Sequence, residues 1–150
     1  VCNEKRMSVK EGVGIFARIF MDHFPLLPVE DEGSLHDPEL RENFIQKIFT
    51  LKRWREVLDR KESRGSVVDF HTNHKLLILS HSPKHYQRMG RLVAKAKDLP
   101  IKELYQQYQT ILMESLQLKT TPKKYSNVLQ HMMGYFKNSY PMTKNMNYLI

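Results

Sequence analysis

A single cysteine, Cys2, stands in the 150 residues. It excludes an internal disulfide and any multi-cysteine zinc or iron–sulfur site built from this chain alone, and it makes a reducing, cytoplasmic setting the expectation. Long apolar runs are missing as well. No segment approaches the unbroken stretch of about 20 apolar residues that a membrane span needs, so no membrane partner is expected. The opening "VCNEKRMSVK" has neither an initial Met nor the apolar core of a signal peptide, and residue 1 is read as internal to something longer. Glutamate is absent from residues 63–102, so the histidine pair in "HTNH" lacks the intervening base of the zinc-hydrolase HExxH pattern. A "GVG" at residues 12–14 has no third glycine at Phe16 or Ala17, which removes the dinucleotide fingerprint. There is no repeat or low-complexity tract, and no strand pattern competes strongly over residues 37–140.

What is present fits one globular domain. The length can bury a single core, and 41% hydrophobic with 27% charged residues is ordinary globular usage. The net charge of +8 is unevenly placed. Residues 1–50 hold 6 basic and 9 acidic groups, 51–100 hold 12 and 5, and 101–150 hold 6 and 2. Basicity therefore begins near Leu51. A surplus of this kind attracts phosphates and gives salt-dependent affinity for nucleic acid or another polyanion, or it serves only as a solubilising surface.

The pattern is helical throughout. Ile15, Phe16, Ile19, Phe20 and Phe24 recur at helical spacing, and "PLLPVEDEGSL" after them, with Pro25, Pro28 and three acids, reads as an extended linker. Four helices then announce themselves through Asp37-Pro38, Ser82-Pro83, Leu99-Pro100 and Thr121-Pro122. In each the proline suits the first helical position, and Asp37, Ser82 and Thr121 are good caps. Over residues 38–61, Leu40, Phe44, Ile48, Leu51, Trp54 and Leu58 form an apolar stripe expected in the core. After "ESRG" comes "SVVDFHTNHKLLILSH", whose flanks decide for helix although "KLLILS" alone fits either state.

That segment is the oddity. His71, His74, Ile78 and His81 fall within an arc of roughly 80° on one helix face, while Val67, Phe70, Leu76, Leu77 and Leu79 cover most other directions. A helix apolar nearly all round is buried, so its histidines and Lys75 are costly unless hydrogen-bonded or opened onto a cavity. Four readings stay open. His71 and His74 could share a metal with His81 or His131; a histidine could move protons, with only Asp69 and Asp98 nearby as partners; the histidines could bond backbone carbonyls inside a bundle. In the fourth, the helix from Ser82 aims free N–H groups at a phosphate, with Lys75, Lys84, Arg88 and Arg91 around it and Tyr86 stacking on a base. Farther on, Asn127, Gln130 and His131 share a face, with Lys137 on the same helix. If that face meets the histidine helix, one polar pocket holds His71, His74, Asn127 and His131. Gly134 is expected to ease close packing, and Met132 and Met133 to fill the core.

The stretch "FHTNHKLLILSHSPKHYQRMGRLVA" followed by "NVLQHMMGYFK" resembles the YbgA-like domain, a helical bacterial and archaeal family of unknown function. The matching positions are His71, His74, Lys75, His81, Tyr86, Gly90, Asn127, Gln130, His131, Gly134 and Tyr135. Met89 stands where relatives commonly carry leucine, a volume-conserving change. The segment from "GVGIFARIFMDHF" to "KIFTLKRW" looks like the join in two-domain relatives, where an α/β domain similar to the thiouracil desulfidases precedes the YbgA-like part. The resemblance implies an all-α multi-helix bundle over residues 33–150, truncated at its C-terminus, preceded over residues 1–32 by the tail of the desulfidase-like domain and a linker. It implies an iron–sulfur cluster only in that preceding domain, Cys2 standing after the last cluster cysteine. No catalytic residue carries over, and the matching positions are pocket candidates.

Three functions follow as expectations. The first is a helical accessory domain, not an enzyme by itself, that binds nucleic acid or a nucleotide such as thiolated transfer RNA or a thiopyrimidine for an attached desulfidase-like domain in cis. The second is an enzyme whose histidine cluster holds a metal or moves protons. The third is a structural cover of the iron–sulfur domain, with an apolar exposed face around Ile15, Phe16, Ile19 and Phe20.

Overall fold

A computed structural model describes residues 14–60 and 63–139. Those residues are helical with no strand among them, an all-α chain of six α-helices: α1 Ile15–His23, α2 Pro38–Leu58, α3 Arg64–His81, α4 Pro83–Ala94, α5 Ile101–Leu116 and α6 Pro122–Ser139. The "GVG" valine, Cys2 and the stretch after Ser139 lie outside the described residues. The chain divides into two compact units, Val1–Glu56 and Val57–Ile150. The charge divides with it, residues 57–150 holding 15 of the 24 Lys and Arg but only 6 of the 16 Asp and Glu.

In the first unit, a 3-10 turn, Gly33–His36, interrupts the segment expected to be extended. Asp37 then caps α2, its carboxylate accepting from the N–H groups of Glu39 at 2.8 Å and Leu40 at 3.3 Å. The expected stripe of α2 is fully buried only in its C-terminal half, at Leu51 and Trp54 with Thr50 beside them. Leu40, Phe44, Ile48 and Leu58 are half-buried. On α1, Ile15, Phe16 and Ile19 are exposed.

The second unit is the helical bundle. Its centre is α3, which packs against α4, α5 and α6, while α4 also packs against α5. The helix starts two residues before the expected "SVVDF" because Ser63 caps it, accepting from the Ser66 N–H at 3.0 Å. Ser63 is tied to α5 at both backbone groups: its N–H donates to the Tyr105 hydroxyl at 3.1 Å, and that hydroxyl donates to its carbonyl at 3.0 Å. Arg64 pins the turn between α4 and α5 by donating to the carbonyls of Ala96 at 2.7 Å and Leu99 at 2.8 Å.

Ser82 and Thr121 cap α4 and α6 as their sequences foretell, accepting from His85 N–H and Lys124 N–H at 3.3 Å each. At α5 the proline sits one place earlier than expected. Pro100 is the capping residue and Ile101 the first helical one, so this end has no side-chain cap. The core face of α5 is a regular stripe of Leu104, Tyr105, Tyr108, Ile111, Leu112, Ser115 and Leu116.

Helix α6 departs from expectation. Met132 and Met133 are exposed rather than core filler, and a Cβ placed on Gly134 would meet nothing within 4 Å, so no close helix approach depends on that glycine. The cause is position: among the described residues α6 packs chiefly against α3, and the side that carries Met132 and Met133 is exposed.

Candidate functional site

The histidine face of α3 is its core stripe. Val67, Phe70, His71, His74, Ile78 and His81 are all buried on one face, with Leu79 and Ser80 buried as well, whereas Leu76 and Leu77 are only half-buried and Val68 is exposed. The histidines thus share the buried face with Val67, Phe70 and Ile78, while Leu76, Leu77 and Val68 lie toward the periphery. Burying this face is tolerable because each ring is bonded. His71 Nδ1 lies 3.2 Å from the Tyr108 hydroxyl of α5, and its ring is nearly parallel to Tyr86 of α4 and edge-on to Tyr108. His74 donates from Nδ1 to the Phe70 carbonyl one turn back at 2.8 Å and stacks on the Phe70 ring at 4.1 Å. His81 donates from Nδ1 to the Leu118 carbonyl at 2.7 Å.

Because a carbonyl only accepts, His74 and His81 must carry hydrogen at Nδ1. His81 is fully buried, and its Nε2 has no hydrogen-bond partner among the described residues. A neutral ring leaves a lone pair there, and protonation would leave an unsatisfied N–H, which is the costlier arrangement. The electrostatics agree. Burial holds His81 below the usual imidazole range, opposed in part by its bond to the Leu118 carbonyl and reinforced by the Lys124 cation. His71 is also lowered, first by burial and then by Lys75. Burial pushes the Tyr108 phenol far up, so it remains a hydroxyl.

The other candidates separate from these rings. Lys75 is half-buried, with Nζ 5.2 Å from the centre of the Tyr135 ring of α6, a cation–π contact. Lys124 closes the end of α3 by donating to the carbonyls of His81 at 2.8 Å and Lys119 at 2.6 Å. Asn127 is half-buried on α6, while Gln130 and His131 are exposed. His71 is engaged by α4 and α5 and His131 faces solvent on α6, so the four-residue pocket of His71, His74, Asn127 and His131 is not how these groups are arranged. The side chain of Lys137 lies outside the described residues. Among the described residues, no group of three or more His, Cys, Asp or Glu is placed to hold a metal ion. None of them is cysteine either, so they do not fit an iron–sulfur cluster.

The basic candidates form a surface. Lys84, Arg88 and Arg91 are exposed on α4, and Lys95 at its C-terminal cap extends them. Their spacing of four, three and four residues puts all four within an arc of roughly 60° and along roughly 16 Å of helix. Met89 and Leu92 of α4 are buried in the core. Among the described residues, one acidic side chain is fixed against this row. Glu114 of α5 pairs through Oε2 with Arg88 at 3.0 Å and approaches His85 Nε2 at 3.5 Å, while His85 Nδ1 is 2.7 Å from the Ser82 hydroxyl.

Tyr108, His85, Glu114 and Lys95 had not been singled out. For His85 the available signal was its place three residues after the capping Ser82. Glu114 had none, since its partner lies 26 residues away.

Residues 75–149 match the family described as Protein of unknown function (DUF1722). The chain belongs to this family. It is also 30% identical over 92 residues to the protein named "Uncharacterized protein YbgA" of Escherichia coli (strain K12), a match that covers 61% of this chain and 54% of the relative. The chain thus spans about half the length of the curated relative it matches. No solved structure matches it. The DUF1722 match takes in the last turns of α3 and all of α4, α5 and α6, hence Lys75, His81, the basic row and Glu114. His71 and His74 lie before it.

Proposed function

We propose that this DUF1722 chain is a helical accessory module that binds nucleic acid along α4, presenting thiolated RNA to an attached desulfidase-like domain. One observation carries the binding half: the exposed row of Lys84, Arg88, Arg91 and Lys95, on a helix that itself bears no acidic residue. Cations at intervals of roughly 4.5–6 Å along a helix axis suit successive phosphates of one strand, and such contacts supply affinity without sequence reading. The segregation of charge into residues 57–150 supports the same reading, because it adds a longer-range field that draws a polyanion to that unit. The tie to desulfuration rests on the resemblance alone.

The test is binding of the purified chain to thiolated and unthiolated transfer RNA over a salt series, with metal content measured on the same sample. Affinity falling steeply with salt, and weakened by replacing Lys84 or Arg91, is the expected outcome; preference for the thiolated form ties the module to desulfuration. Absence of binding at low salt overturns the reading.

A second reading, a structural cover for a neighbouring domain, draws on a different observation. Ile15 and Phe16 of α1 are 81% and 82% exposed, the sort of apolar face that a partner surface covers. It requires no ligand, and it is separated from the first by α1 substitutions that abolish association with the preceding domain and leave RNA affinity unchanged.

A further inference from the structure

The cationic row on α4 is not uniform. Lys84, Arg91 and Lys95 make no ion pair among the described residues, whereas Arg88 near the middle of the row is held by Glu114 at 3.0 Å, and the same carboxylate oxygen lies 3.5 Å from His85 Nε2. The arrangement is one anionic oxygen between a guanidinium and an imidazole. That is what a phosphate oxygen of a bound strand would find there if Glu114 were absent.

The pair is exposed, with 58% of the Arg88 side chain and 45% of the Glu114 side chain open to solvent. Such a pair is weak, so an incoming phosphate can displace the carboxylate. It is nonetheless a local cost that every ligand must meet before Arg88 is available. A ligand that reaches Lys84, Arg91 and Lys95 at the same time gains enough from those contacts to offset it, whereas a lone phosphate does not.

Resting on the reading of α4 as a nucleic-acid surface, we propose that Glu114 is an internal competitor for the phosphate position at Arg88 and His85. It makes the site respond to a strand carrying several consecutive phosphates rather than to isolated phosphate groups. The competition is local. It differs from a general effect of net charge because it couples one acid to one base.

The experiment measures affinity of the whole chain for a short fluorescent single-stranded RNA at low and high salt, comparing wild type, Glu114→Gln, Arg88→Gln, the double variant, and Glu56→Gln as an equal charge change in the other unit. Glutamine keeps the size of each acid, and thermal melting confirms that each variant is folded. Glu114→Gln is expected to bind about two- to five-fold tighter at low salt, the range set by an exposed ion pair, with the gain fading at high salt. Glu56→Gln should change affinity less than Glu114→Gln. Arg88→Gln should cost little in wild type and more in the Glu114→Gln background.

Equal gains from Glu56→Gln and Glu114→Gln, or additive effects at Arg88 and Glu114, overturn the competitor while leaving α4 as the binding surface. No gain from Glu114→Gln with wild-type binding intact does the same. If no variant binds even at low salt, both the competitor and the nucleic-acid reading fall.

Discussion

Helices α3 and α4 are consecutive, separated only by Ser82, and both are rich in basic residue types, yet they dispose of them in opposite ways. On α3 the three histidines sit in the core at 9%, 7% and 0% exposure and each is committed to a hydroxyl or carbonyl. On α4 the cations stand on the open side while Met89 and Leu92 are buried. The difference is one of partners. A polar side chain on a helix that contacts three others has to be satisfied by the protein, and one on a helix with an open side is left for solvent or a ligand.

If the α3 rings are structural, the bundle rests on what they bond, and the largest effect is expected at Tyr108. This residue is fully buried, lies edge-on to Phe70 and His71, and supplies the His71 hydrogen bond. Tyr108→Ala should cost about 3–5 kcal/mol, enough to unfold a domain of ordinary stability. Tyr108→Phe removes only the hydroxyl and should cost about 1–2 kcal/mol. Urea titration of both variants checks this, and a Tyr108→Ala protein as stable as wild type would contradict the core assignment of the α3 face.

The pH dependence of stability is the next effect in size. His71 and His81 are both lowered from their ordinary value, so the folded chain binds fewer protons at these sites than the unfolded chain does once pH falls below about 6.5. Above that pH both rings are neutral in both states and contribute no slope. Below it stability is lost as pH drops, until the folded-state rings themselves titrate. Each ring contributes at most about 1.4 kcal/mol per pH unit. Melting curves between neutral and mildly acid pH should show the decline, and His81→Gln, which keeps a donor for the Leu118 carbonyl, should flatten it. An unchanged slope would mean that His81 is not the proton-linked group.

Much of this contrast was readable from the residues, and the unreadable part has identifiable causes. Proline preceded by Asp37, Ser82 or Thr121 located three helix starts because capping is a local interaction within four residues. Pro100 misled by one position because Leu99 has no side chain to cap with. The regular stripe of α5 is a consequence of its packing between α3 and α4, whereas α3 packs on three sides and so its apolar residues did not mark which side was core. The bonds of His71 to Tyr108 and of His81 to Leu118 let these rings share the buried face with Val67, Phe70 and Ile78, and both partners lie 37 residues away. On α6 Met132 and Met133 read as core filler, but among the described residues that side of the helix is exposed. The basic face of α4 was legible in Lys84, Arg88 and Arg91, since surface charge at helical spacing needs no distant partner. The pairing of Arg88 with Glu114 was not.

The sharpest form of the comparison exchanges stability for binding. Arg91 is exposed and makes no ion pair among the described residues, so Arg91→Gln should move folding stability by no more than about 0.5 kcal/mol. If α4 contacts a single strand, the same change should weaken RNA binding and reduce the slope of log affinity against log salt by about 0.7, the contribution of one phosphate contact. Tyr108→Phe should do the reverse, lowering stability while leaving the salt slope unchanged. Two variants from neighbouring helices thus move opposite observables. A loss of stability in Arg91→Gln would place that side chain in the fold of the bundle, and an unchanged salt slope would remove it from the binding surface, leaving a gap of seven residues, about two helical turns, between Arg88 and Lys95.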